Sequence, residues 1–147
     1  RVEDFGLHVG ANYIFGLPDD THQSMHDTLE LAININAAHA NFYCAMSYPG
    51  SALHTQAKQN GWRLPEDLGG PGWIGYSQHA YESMPLRTEQ LTYEEVLDFR
   101  DNAFLEYHTQ PHYLDKLEEH FGRRAVEAMN KITAAGKPPR KHRGDKQ

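Results

Sequence analysis

The sequence predicts an α/β fold in which one parallel βαβ unit is followed by a helical C-terminal region. Two short apolar runs, residues 7–15 and 41–47, have strand length. Between them apolar residues recur at helical spacing, and that spacing returns in several segments after residue 91.

Residues 7–15 (LHVGANYIF) stop at Gly16-Leu17-Pro18 and read as a strand buried on both faces. Asp20-Thr21-His22-Gln23 reads as a capping box in which Asp20 accepts backbone N–H bonds. Met25, Leu29, Ala32 and Ile33 then define a helix over 21–36. Residues 41–47 (NFYCAMS), closed by Tyr48-Pro49-Gly50, supply the second strand. A helix is expected over 52–60, with Leu53 and Ala57 on one face and Gly61 ending it. From 62 to 87 no period survives, but Trp62, Trp73, Tyr76 and Tyr81 favour an ordered, packed loop. Thr92-Tyr93-Glu94-Glu95 is a second capping box, opening a helix to about His108. Tyr113, Leu114, Leu117 and Phe121 mark the next helix, ended by Gly122. Ala125, Val126, Met129 and Ile132 mark the last, ending near Gly136.

A strand, helix and strand in so short a stretch pair in parallel, with a right-handed crossover. Parallel sheets are covered on both faces, and two strands are too few for an independent sheet. The expectation is therefore a partial TIM-type barrel segment, a piece of something larger. Residues 1–61 would supply barrel, 62–90 an aromatic, glycine- and proline-rich loop region, 91–136 a helical region, and 137–147 a basic disordered tail.

At 147 residues, 39% apolar and 23% charged, the chain has the balance of a soluble globular domain able to bury a core. No apolar run approaches the roughly 20 residues that span a bilayer. Residues 1–6 (RVEDFG) lack the features of a signal peptide, so a cytoplasmic location is the default expectation. A net charge of −6 argues against a nucleic-acid partner. The basic run of Lys137, Arg140, Lys141, Arg143 and Lys146 reads as a solvated end. Cys44, the single cysteine, excludes a disulfide framework and any cysteine-rich metal site made by this chain alone. In mid-strand it reads as a buried, inert thiol.

The turn 16–21 joins a strand to a helix start, where α/β proteins bind ligands, and 48–51 closes the second strand at the same end. Its plainer reading is a tight turn with an N-cap. Met46 and Tyr48 stand close enough to the strand end to touch a ligand. Trp73, Tyr76, His79 and Tyr81 either line a pocket for a flat apolar substrate or simply pack. His22 and His26 share a helix face at metal-ligand spacing, but no carboxylate completes the set. Gly69-Gly70-Pro71-Gly72 lacks the lysine and helix of a phosphate loop and reads as a flexible turn.

The run from Ala11 to Thr21 (ANYIFGLPDDT), with Tyr48-Pro49-Gly50-Ser51 after it, resembles the late-barrel strands of radical S-adenosylmethionine enzymes. Their pattern is an apolar strand into Gly-(Leu/Phe)-Pro-Gly-Glu-Thr, a helix, a strand and Pro-Gly-Thr. Here Asp19-Asp20 replaces Gly-Glu, and Ser51 replaces Thr. Residues 73–79 (WIGYSQH) and 96–104 (VLDFRDNAF) are similar to the subgroup with an N-terminal cobalamin-binding domain, such as the anaerobic magnesium-protoporphyrin IX monomethyl ester oxidative cyclases. The likeness covers Gly6 to Ile132.

The resemblance implies S-adenosylmethionine, a 4Fe-4S cluster held by a Cys-x3-Cys-x2-Cys loop absent from this sequence, and, from the subgroup likeness, cobalamin on an upstream domain. It implies cofactor contacts at Asn12, Gly16, Pro18, Met46 and Tyr48. Asn12 stands where several relatives carry an acidic residue, four before the motif's glycine. No catalytic and no metal-binding residue is assigned to this chain. The expected partners are the rest of a parent polypeptide and a small-molecule substrate. The expected chemistry is methyl transfer or oxidative cyclisation of an organic, tetrapyrrole-like molecule, with this chain inactive alone. The rival readings are an independent α/β binding or scaffold module without catalysis, and a hydrolase built on the histidine pair.

Overall fold

The computed structural model describes residues 5–144; the expectations resting on residues 1–4 and 145–147 lie outside them. Strand β1 (Gly10–Phe15) pairs in parallel with β2 (His39–Cys44), in a register that sets Asn12 opposite Asn41 and Phe15 opposite Cys44. Helix α1 (His22–Ile35) connects them, so the βαβ unit stands as read from the sequence. Then follow α2 (Ala52–Gln59), a 3-10 turn at Gly72–Tyr76, α3 (Tyr93–His108), α4 (Pro111–Phe121), α5 (Arg123–Ala134) and a 3-10 turn at Lys141–Arg143. Among the described residues the sheet has these two strands only. No described helix is long and apolar enough to cross a membrane.

The caps place the helices. Thr92 accepts from the Glu95 N–H while the Glu95 carboxylate accepts from the Thr92 N–H, the box expected for α3. At α1 the cap is Thr21 with Ser24, one residue later than expected. Asp20 instead closes the preceding turn, its Oδ2 accepting from the N–H groups of Gly16 and Leu17, each at 2.9 Å. Asn36 ends α1 in the left-handed conformation, which a short amide side chain tolerates better than most.

One face of the sheet carries the core. Phe15 and Phe42 stack with centroids 5.8 Å apart, Phe99 of α3 meets Phe15 edge-on at 5.0 Å, and Tyr107 meets Phe42 at 5.5 Å. Met25, Leu29 and Ala32 of α1 join them, with Tyr113 and Leu117 of α4 beyond. The Tyr107 hydroxyl donates to the Ala37 carbonyl at 2.8 Å, so this buried phenol is satisfied.

The other face is open, which corrects the expectation of a strand buried on both sides. Asn12 and Gly10 are exposed, Ile14 is 48% exposed, and Asn41 and Tyr43 are half-buried. Neither α1 nor α3 covers them, because both pack on the Phe15 and Phe42 side.

The expectation for the basic tail also needs correcting. Arg140 is fully buried against Asp101, and residues 141–144 form an ordered turn. The glycine-rich turn is likewise packed rather than loose. The Gly70 N–H bonds to Asp67 O, the Gly72 N–H bonds to Pro65 O, and a Cβ at Gly70 would lie 2.3 Å from Pro65 O.

Gly16 sets the approach of α3. Its φ is +80°, and a Cβ there would meet Val96 Cγ1 at 2.6 Å. Gly16→Ala should cost roughly 2–5 kcal/mol, from about 1–2 for the left-handed backbone and about 1–3 for overpacking. The urea midpoint checks this, and adding Val96→Ala should recover part of the steric share.

Candidate functional site

The open face leads into a groove of about 370 Å³ at the C-terminal ends of the strands, lined by Ile14, Leu17, Tyr43, Met46, Tyr48 and Gln78. Strand alternation puts Ile14 and Tyr43 on this face while Phe15, Phe42 and Cys44 turn to the helices. Just before the groove on the same face, Asn41 Nδ2 donates to Asn12 Oδ1 at 2.9 Å. That bond leaves the Asn12 Nδ2 group as a donor and the Asn41 Oδ1 as an acceptor. The site therefore has an apolar floor of aromatic and aliphatic groups with a neutral donor–acceptor pair at one end. It suits an uncharged planar or hydrogen-bonding group more than an isolated charge.

Gln78 closes one side. Its Oε1 accepts from the Cys44 N–H and its Nε2 donates to the Cys44 carbonyl, each at 2.9 Å. The side-chain amide thus pairs with β2 as a neighbouring strand would. The Leu86 N–H adds a bond to Ala45 O at 2.9 Å. The loop thus caps the C-terminal end of β2 on its outer edge.

A second polar cluster holds the rim. The Glu66 carboxylate accepts from the Tyr76 hydroxyl and pairs with His54 Nε2 of α2 at 2.6 Å. Tyr48 donates its hydroxyl to the Tyr76 carbonyl at 3.3 Å, with the two rings 5.6 Å apart. Burial alone would raise the Glu66 pKa. The hydrogen bonds from Tyr76 and His54 outweigh it and hold the carboxyl down at about 2.

Of the residues singled out in the sequence, Met46 and Tyr48 meet in the groove, and Asn12 lies on the same sheet face. Gly16 is buried beneath Val96 with its N–H taken by Asp20, and Pro18 borders a separate hollow with Trp62 and Gln90. The turn 16–21 fills its own amides with the Asp20 carboxylate and Thr21 hydroxyl, so it offers no open anion cradle. The four downstream aromatics do not share a pocket. Trp73 is 77% exposed, Tyr76 is buried on Glu66, and His79 and Tyr81 lie toward the tail. His22 pairs with Glu95 at 3.3 Å and His26 packs edge-on against Phe99 at 4.9 Å. Among the described residues no three histidine, cysteine or acidic side chains gather as a metal site. Sequence reading missed Asn41, Tyr43 and Gln78. The period-2 alternation of residues 41–44 carried the signal for Asn41 and Tyr43, while Gln78 had none.

Over 135 residues the chain is 24% identical to an uncharacterized methyltransferase of Pyrococcus horikoshii. The match takes in 89% of this chain and 28% of that protein, so the chain spans little more than a quarter of its relative's length. No family model and no solved structure matches the chain.

The depressed Glu66 pKa predicts an acid-labile rim. Its stabilising contribution is complete above the ordinary value of 4.5 and is lost as pH falls through about 2. Denaturation midpoints should drop over that window, and Glu66→Gln should flatten the drop. With about a third of the side chain exposed, the effect is screened and modest.

Proposed function

We propose that this chain forms the later strands of the barrel wall in a radical-type, S-adenosylmethionine-dependent enzyme that transfers methyl groups to an organic substrate. The 11–21 and 48–51 motifs support the family, and the relative's name supports methyl transfer. The observation that carries the reading is the asymmetry of the sheet. Helices α1 and α3 pack on one face and Gln78 caps the end of β2 at Cys44, while neither of these helices covers the other face and no described strand pairs with the β1 edge. Two parallel strands with one wet face and one free edge are completed by strands added beside β1. On this reading the pair belongs to a partial barrel with β2 as its terminal strand, followed by a loop region over 62–90 and a helical region over 91–136.

In this reading Asn12, Asn41, Met46 and Tyr48 hold the cofactor, the amides serving its hydrogen-bonding groups and the groove its apolar surface. The residues present do not fit the cluster. Cys44 turns away from the groove with its Sγ 3.9 Å from Val96 O, and burial pushes its thiol up to about 11. Cluster ligands, and a cobalamin if one is used, belong to other parts of a parent polypeptide. What this chain supplies is a wall that positions the cofactor and keeps water from its reactive end. Residues 73–79 keep oxidative cyclisation as the second reading, since the cyclase likeness rests on them.

The test uses the parent polypeptide carrying a Cys-x3-Cys-x2-Cys loop, with its cluster reconstituted. With dithionite supplied as the one-electron reductant, cleavage of S-adenosylmethionine to methionine and 5′-deoxyadenosine, its hydrogen atom taken from substrate, or transfer of the methyl group is expected. Asn12→Ala should raise KM for the cofactor by about tenfold, the worth of one hydrogen bond of ~1.4 kcal/mol, without changing the cluster's absorbance. Calorimetry on the 147-residue chain alone should show no tight binding. Tight binding there, or a parent sequence without the three cysteines, would overturn the reading.

A further inference from the structure

Asp101 of α3 is fully buried, and both of its carboxylate oxygens are engaged by arginines. Arg140 donates Nε to Oδ2 at 3.0 Å and Nη2 to Oδ1 at 2.9 Å, and Arg143 adds Nη2 to Oδ2 at 2.6 Å. Arg100 reaches Oδ1 through Nη1 at 3.0 Å. Two of these cations and the tail backbone also grip one stretch of the long loop. Arg100 Nη2 donates to the Gln78 carbonyl, Arg140 Nη1 to the Ala80 carbonyl at 2.8 Å, and the Lys141 N–H to the Tyr81 carbonyl at 2.9 Å. Residues 78–81 are therefore clamped to α3 on one side and to the tail on the other. From that clamped backbone the Gln78 side chain makes both of its bonds to Cys44. A long amide side chain loses substantial rotamer freedom in doing so, and it holds that geometry only where its own backbone is fixed.

We infer that Gln78 is a positioning residue of the groove and that the C-terminal segment, through Arg140, holds it in place. With the tail engaged, Gln78 seals β2 and walls the groove; with Arg140 withdrawn, it releases Cys44 and the wall opens. The site on the sheet is thus conditional on an ion pair at the far end of the chain. That the groove takes a cofactor rests on the reading above, whereas the dependence of Gln78 on Arg140 does not.

The Cys44 backbone N–H reports the opening, because its bond to Gln78 Oε1 is the contact the opening breaks, whereas the residue's thiol lies on the α3 side of the sheet. The experiment is deuterium labelling of the backbone amides of the whole protein, with the Cys44 N–H followed by NMR at zero and low urea. Arg140→Met and Gln78→Ala should each speed labelling by about tenfold or more with little urea dependence, the mark of local opening rather than global unfolding. The double variant should label no faster than the faster single one, since both remove the same support. Lys141→Gln, which keeps the backbone bond to Tyr81, should leave the rate unchanged.

Rates that multiply in the double variant, an unchanged rate in folded Arg140→Met, or a urea dependence equal to global unfolding would each overturn the inference. Should Arg140→Met not fold, Arg140→Lys decides. It keeps a cation beside Asp101 but loses the two-pronged grip and the bond to the Ala80 carbonyl, so an unchanged rate there overturns the coupling. Coupling at the Cys44 amide that holds while cofactor affinity in the parent protein is indifferent to Gln78 would keep the device and remove the cofactor reading.

Discussion

The approach of α3 to the end of β1 is the constraint on which the rest of the structure depends. Val96 sits over Gly16 at a distance that leaves no room for a side chain, so Phe99 and Tyr107, farther along the same helix, come down edge-on against Phe15 and Phe42. Two parallel strands bury too little by themselves. The aromatic layer between sheet and helix is what makes this pair a stable element. The same helix then turns Arg100 and Asp101 toward the long loop and the tail, so one packing contact sets both the core and the polar clamp.

Having the helices on one side gives the sheet its two characters. The buried side is aromatic and closed, and the other side pairs Asn12 with Asn41 above an apolar groove. A carboxamide pair is neutral, keeps a donor and an acceptor in fixed register, and costs little to leave in water. Such a surface tolerates solvent and yet is ready for a ligand or for further strands.

The local elements were legible in the sequence and the long-range ones were not. Thr92 and Glu95, Gly122 after Phe121, and the spacing of Met25, Leu29 and Ala32 mark helix ends and faces through interactions within a turn or two, and the structure agrees with each. Asp20 misled by one residue, because an aspartate before a threonine serves equally as a cap or as the closing acceptor of a turn, and here the turn wins. The bareness of one sheet face was hidden, since an apolar run looks the same whether its second face is covered or waiting to be. The tail was misread because composition suggests a solvated end, whereas its fate depends on Asp101, thirty-nine positions away. Of the site, Met46 and Tyr48 could be placed from the strand end. Asn41 needed the register, and Gln78 belongs to a segment without periodicity.

The amide that stands in for a strand at Cys44 has a bearing on solubility and self-association. A peptide group at the rim of a β-ladder is an invitation to any extended segment nearby, and chains commonly refuse it with charge, proline or a bulge. Here a single glutamine answers it by occupying both hydrogen-bonding positions itself. A substitution there would free the Cys44 N–H and carbonyl for strand addition by a foreign peptide or a sister molecule.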